Sequence, residues 1–275
     1  MRLINWNIDS LRAALAGTSH RGHESQQVLS KIAKQRYDIV GLQEIKLPPT
    51  GLTLKQHDSL SSLFPGYDLA IRPAQPPARK SYGGELFLHH PSLRPRVIKP
   101  RLDVPTPLND QGRLLALALP EFILLQVYSP NAGQHLERAA LHHEWNQQLI
   151  NYVKELRKDK PVIIVGDFSM VYSAVDVADP ANSRGQTGFT ESDVKDFQQL
   201  LQLGLVDAFR LLHPGSKDTY TWWPQIIRSS KRNNYGWRAD YWLVDQRLKE
   251  RVQSTGVVDT GERRDHAPIT LQLAD

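Results

Sequence analysis

Cysteine is absent from the 275 residues and methionine occurs only twice. Disulfides and thiolate metal sites are thereby excluded, and any metal must be held by oxygen and imidazole. Such donors suit a hard cation, Mg²⁺ or Mn²⁺. No apolar run approaches the length that spans a bilayer, and the chain opens on a strand-like segment without a basic n-region and apolar h-region. A soluble, intracellular protein is expected, with no membrane association: cytoplasmic, and nucleoid-associated if prokaryotic. Also missing are a Pro/Gly/Ser-rich linker, a low-complexity stretch and a repeat at a solenoid period, so 1–275 reads as one large α/β domain. No long polar tail offers a protein-interaction segment, and a monomer with no obligate protein partner is expected.

What is present are five acidic or amide clusters far apart in the chain: Asn5 to Asp9, Glu44, Asp167, Asp240, and Asp265 with His266. Each sits at the end of a short apolar run: Leu3 to Trp6, Asp38 to Leu42, Pro161 to Val165, Tyr241 to Val244, and Ile269 to Leu273. Runs of this length, apolar, β-branched or aromatic and bounded by polar residues, read as buried strands. One carboxylate after a strand is ordinarily a turn or cap residue. Several past strand ends converge on one sheet edge, and with a His they describe a divalent-metal phosphodiesterase site.

The formal net charge is +5, which suits a polyanionic partner without requiring one. Two stretches concentrate the basic residues. Arg72 to Tyr82 reads RPAQPPARKSY and contains Arg79 and Lys80, and Arg228 to Trp237 reads RSSKRNNYGW and contains Lys231, Arg232 and Asn234. Both read as loops. Exposed Lys and Arg are usually just a solvated face, but interleaved Tyr and Trp point to nucleic acid, where cations hold phosphates and rings stack.

Helical periodicity fills the intervals, with Val28, Leu29 and Ile32 in Glu24 to Gln35 and Leu141, Trp145, Leu149, Ile150 and Val153 in Leu136 to Leu156. Ser192 to Leu203 is a third helix. The adjacent strand pair Arg113 to Leu119 and Phe122 to Tyr128, turning at Pro120 and Glu121, predicts mixed rather than purely parallel sheets, two of them packed face to face between helices.

The strings NWNIDSLRAAL, GLQEIKL, YSPNAG, GDFSMVYSAVDVADP, YTWWPQ, NNYGWRADYWLV and RDHAPITLQL follow one another over nearly the whole chain. In order and spacing they resemble the exonuclease III family of apurinic/apyrimidinic endonucleases. The resemblance implies a four-layered α/β sandwich and metal-dependent incision 5′ to abasic sites in duplex DNA, leaving a 3′-hydroxyl. It makes Glu44 the principal metal carboxylate, with Asn7 and Asp9 nearby and Asp265 as a further ligand or hydrogen-bond partner. Lys46 pairs with Glu44 or with phosphate. By the same resemblance Asp167 orients or deprotonates the attacking water, His266 is the site histidine oriented by Asp240, and Tyr128 and Asn131 contact phosphate. Trp222 and Trp237 wall a pocket for an extruded abasic sugar, whereas Trp223, its neighbour along a strand, faces the core.

Four positions depart from the family pattern. Ser169 stands where most relatives have Asn, Tyr172 where a His is usual, Ala239 where a bulky aliphatic residue is expected, and Gln134 where some relatives place an Arg. Ser169 should lower catalytic power and Ala239 should widen the pocket. The expected DNA partner therefore carries abasic sites or blocked 3′ ends, with 3′ to 5′ exonuclease or end trimming as the alternative activity. A damage-binding module with lost turnover is a second alternative, and a superfamily cousin acting on phosphoinositides or nucleotides a third.

Overall fold

A computed structural model describes residues 1–78, 82–105 and 108–274. In the first half of the chain lie β1 (Arg2–Asn7), β2 (Ile39–Gln43), β3 (Asp68–Arg72), β4 (Glu85–His89), β5 (Arg96–Ile98), β6 (Leu114–Ala118) and β7 (Ile123–Tyr128). The second half adds β8 (Val162–Asp167), β9 (Leu205–Asp207), β10 (Trp222–Trp223), β11 (Asp240–Asp245), β12 (Val252–Val257), β13 (Asp265–His266) and β14 (Ile269–Leu273). These strands form two six-stranded sheets, ordered β12-β14-β1-β2-β4-β3 and β5-β6-β7-β8-β11-β9, and a ribbon of β10 with β13. Both sheets are mixed: β1 runs parallel to β2 and β7 to β8, while β14, β4, β6 and β11 pair antiparallel with their neighbours.

Strand alternation builds the layers. Leu3 of β1 faces inward, where it meets Ile39, Phe87, Leu124, Ile163 and Trp242 between the sheets, and its neighbours Ile4 and Trp6 face outward. Outward on the first sheet, Val28, Leu29 and Leu60 of the helices His20–Lys34 and Leu54–Leu63 complete the packing. Outward on the second, Ile164 and Tyr241 pack on Trp145, Leu149 and Val153 of helix Ala139–Asp159 and Phe197 of helix Glu191–Gln202. Helix, sheet, sheet, helix is the four-layered α/β sandwich expected from sequence. Each of these aliphatic side chains contributes about 1.5–3 kcal/mol by leaving water.

One stripe of the inter-sheet face is polar, and it lies under the site. Asn5 Nδ2 donates to Gln43 Oε1 (2.7 Å), Gln126 Nε2 donates to Asn5 Oδ1 (2.7 Å), and Gln43 Nε2 donates to the Val127 carbonyl (2.5 Å). Gln43 Oε1 also accepts from the backbone N–H of Asp167 (3.1 Å), which ties this stripe to the end of β8. Gly166 makes the approach possible: at φ 142 a Cβ there would lie 2.0 Å from the Val127 carbonyl oxygen and 2.6 Å from Gln43 Nε2. Beneath it Glu85 is fully buried, and that burial pushes its carboxyl well above the ordinary range.

Two sequence expectations change here. Arg72 is not a loop residue: it ends β3, buried, with its guanidinium donating to the carbonyls of Pro100, Leu114 (2.7 Å) and Asn109 (3.1 Å). It ties strand ends together and is unavailable to a phosphate. The helix expected from Leu136 begins at Ala139 instead, because Leu136 adopts φ 60, which breaks a right-handed helix.

Candidate active site

Strand ends deliver the site. Asn7 ends β1, Glu44 follows β2, Tyr128 ends β7, Asp167 ends β8, Asp240 begins β11, and Asp265 with His266 forms β13. Pairing sets Asp167 opposite both Tyr128 and Asp240, and His266 opposite Trp222. The chain then turns sharply. Asp9, Glu44, Lys46, Ser169 and Asp265 all lie at positive φ, five of the ten such non-glycine residues described. Left-handed backbone costs an L-residue about 1–2 kcal/mol, and its concentration here marks a site over-determined by its surroundings.

Asp167, Asp240 and His266 form the buried floor. His266 Nδ1 lies 2.8 Å from Asp240 Oδ2, and its Nε2 lies 3.4 Å from Asp167 Oδ2. Burial disfavours the imidazolium, yet the charges of Asp240 and Asp167 outweigh it and push His266 up to about 10. Burial first, then the like charge of Asp240, raises Asp167 to about 6, so it is a competent base at neutral pH. The Asp167 carboxylate is held by the Ser169 N–H (2.7 Å on Oδ1) and by Asn7 Nδ2 (3.2 Å on Oδ2). Ligand atoms of these three residues approach within 4.8 Å of one another. A cation among them would have to displace the imidazolium proton, because both ring nitrogens already face carboxylates.

Beside the floor lies an all-oxygen group. Glu44 Oε1 accepts from Asn7 Nδ2 (3.0 Å) and its Oε2 lies 3.2 Å from Lys46 Nζ. Lys46 also bonds Asp9 Oδ1, and Arg21 Nη2 joins Asp9 Oδ2 (2.5 Å) to Asp265 Oδ2 (2.8 Å). Burial opposes ionisation of Asp265, but His266, Arg21 and Arg263 lower its pKa overall. Hard oxygen donors without a thiolate fit Mg²⁺ or Mn²⁺. Glu44 lines the cleft described below and Asp9 does not, so Glu44 is the better placed of the two to meet an ion that also touches substrate.

Floor and carboxylates open into a cleft of about 840 Å³ lined by Glu44, Tyr128, Asn131, Gln134, Asp167, Ser169, Trp222, Trp237, Ala239, Asp265 and His266. Trp222 and Trp237 meet edge to face at 6.2 Å on its wall, and Trp222 Nε1 donates to Asp265 Oδ1 (3.1 Å). Trp223 turns away into a cluster with Tyr220 and Ala267. Arg113 stacks 4.5 Å over the Tyr128 ring, and burial holds the Tyr128 phenol well above its ordinary pKa, so it keeps its proton. Asn131 is exposed, its Oδ1 accepting from the Gly133 N–H (2.7 Å).

A model of the endonuclease/exonuclease/phosphatase family matches residues 4–262. The chain belongs to this family. An exodeoxyribonuclease of Streptococcus pneumoniae is 41% identical over 273 residues, 99% of each chain. The zebrafish DNA repair nuclease APEX1 is 28% identical, covering 100% of this chain and 82% of that protein. An AP endonuclease from Archaeoglobus fulgidus superposes with a TM-score of 0.81 at 18% identity, covering 100% of each chain. The family member described here is a nuclease that hydrolyses phosphodiester bonds.

Not every expected residue of this nuclease reaches the cleft. Lys231 is turned inward: its ammonium bonds Thr260 Oγ1 and the Arg263 carbonyl (3.0 Å) and sits over the Trp223 ring at 5.0 Å. It braces a loop. Asn234 likewise joins Trp223 Nε1 (3.3 Å) to the Asp218 carbonyl (2.8 Å), and the Tyr82 hydroxyl accepts from Arg113 (2.9 Å). Tyr172 is no site residue, since it stacks on Phe197 at 4.6 Å and donates to Asp207 (3.1 Å). Arg228 and Arg232 are exposed, while Arg79 and Lys80 lie outside the described residues. Two residues escaped the sequence reading. Ile226, 89% exposed, stands beside the cleft-lining Pro224 and Ile227; an apolar pair in a polar loop was its signal. Arg21 had none, because two of its partners, Gln225 and Asp265, lie in remote parts of the chain.

Proposed function

We propose that this nuclease is a DNA repair enzyme that incises duplex DNA 5′ to abasic sites and leaves a 3′-hydroxyl, with 1–275 acting as one catalytic domain. The observation that carries this reading is the junction of a buried Asp167–His266–Asp240 floor with a tryptophan-walled cleft. Flat apolar walls accept a deoxyribose that lacks its base. Names of relatives, an exodeoxyribonuclease and a DNA repair nuclease, support a DNA substrate.

In this mechanism Asp167 takes a proton from the attacking water, and the Ser169 N–H and Asn7 amide hold its carboxylate in line. The Tyr128 phenol and the His266 imidazolium donate to the non-bridging oxygens as charge builds on them. Asp240 keeps the imidazole oriented and charged. A divalent ion, Mg²⁺ or Mn²⁺, held by Glu44 with Asn7, Asp9 and Asp265 around it, would neutralise the phosphate and the leaving oxygen.

A second reading rests on Ala239, which lines the cleft with only a methyl group. The room it leaves favours an intact nucleotide, hence 3′ to 5′ exonuclease or 3′-end trimming. Mg²⁺-dependent cleavage of a duplex carrying one abasic analogue, compared with an undamaged recessed 3′ end, separates the two. Faster incision at the analogue supports repair, faster degradation of the recessed end supports trimming, and no metal-dependent cleavage of either overturns both.

A further inference from the structure

We infer that Arg21 is a resident cation of the active site, filling the Asp9 and Asp265 carboxylate pair so that a single divalent ion works at Glu44. The inference rests on the metal reading above and specifies its stoichiometry. Arg21 belongs to the first turn of helix His20–Lys34, whose start is capped by the Ser19 hydroxyl accepting from the Gly22 N–H (3.0 Å). That turn is pressed against the preceding helix, because a Cβ on Gly22 would lie 2.6 Å from the Ala13 carbonyl oxygen. The guanidinium is therefore delivered by a packed element rather than by a loose arm.

Its placement leaves little for another cation to bind. Both oxygens of Asp9 already face protein charge, Oδ1 the Lys46 ammonium and Oδ2 Arg21 at 2.5 Å. Both oxygens of Asp265 are engaged as well, Oδ2 by Arg21 at 2.8 Å and Oδ1 by Trp222 Nε1 at 3.1 Å. The other arm of the fork, Nη1, donates to Gln225 Oε1 (2.7 Å), beside the cleft-lining Pro224. A guanidinium stays charged at every working pH and is planar, so it bridges two carboxylates without moving. Glu44 lines the cleft as Asp265 does, but among the described residues no guanidinium ties it to a second carboxylate: its Oε2 lies 3.2 Å from Lys46 Nζ and its Oε1 accepts from the neutral Asn7 amide (3.0 Å).

Mn²⁺ binding to the DNA-free protein, followed by the electron paramagnetic resonance of free Mn²⁺ and by calorimetry, tests this directly. Wild type should take up one ion, Arg21→Gln should take up a second, and Arg21→Lys, which keeps the charge, should return to one. Two ions bound by wild type, or one ion of unchanged affinity in a folded Arg21→Gln, would overturn the inference. Wild type alone decides the first of these, even if the Gln variant is unstable. No uptake by any of the proteins would instead overturn the metal assignment at Glu44, a different failure.

Discussion

The floor of the cleft and its rim are built by opposite means. On the floor, Asp167, Asp240 and His266 are 4%, 3% and 6% exposed, and each is part of a paired strand. On the rim, Gln134 and His135 are exposed residues of a turn, and among the described residues no strand pairing holds them. Rigid sheet pairing fixes a reacting geometry to fractions of an ångström, whereas a turn tolerates replacement of its side chains. On the function proposed above, chemistry belongs to the floor and choice of substrate to the walls and rim.

The sharpest way to break this division is Asp167→Asn. Single-turnover cleavage should fall about a thousandfold while DNA binding stays near wild type; retained turnover would move the base elsewhere. Next comes Asp240→Asn, which strips the buried His266 of its nearer counter-charge. It should cost about 3 kcal/mol in urea unfolding without metal. His266 is raised from 6.5 to about 10 in the folded protein, so its contribution is complete below pH 6.5 and disappears as pH climbs through 10. The gap between wild type and variant should narrow over that window, and a gap independent of pH would deny the ion pair its role.

Ala239→Leu acts on the wall instead. Filling the cleft should raise the preference for an abasic analogue over an intact recessed end by about tenfold, as expected for methylenes in an apolar pocket, and equal slowing of both reactions would remove the wall from specificity. The smallest change is expected from Ser169→Asn. Asn tolerates the φ of 51 found there, and its longer amide should raise turnover about fivefold, the worth of one ordinary hydrogen bond. A fall would show that the pocket is fitted to serine.

Much of the floor is legible in the residues because strands announce themselves by short apolar runs, and their polar ends follow. Ile269–Leu273 is found as expected, and β1, β2, β8 and β11 differ by only a residue or two at their ends. Alternation along β10 likewise separates Trp222, on the cleft wall, from Trp223, in the core. The rim reads poorly. Lys231 and Asn234 look like nucleic-acid contacts in a basic string, yet backbone carbonyls and hydroxyls of remote segments claim them. Arg72 misleads in the same way, its donors spent on three carbonyls.

Periodicity and polar punctuation, which are local, determined the elements of this protein, their alternation and the strand ends that carry acidic groups. Only the tertiary structure decided which charges meet. Arg21 and Asp265 are 244 positions apart, and nothing in either neighbourhood encodes the other. A guanidinium finds its carboxylates by where two packed layers bring them, and sheet pairing, not sequence distance, sets that approach.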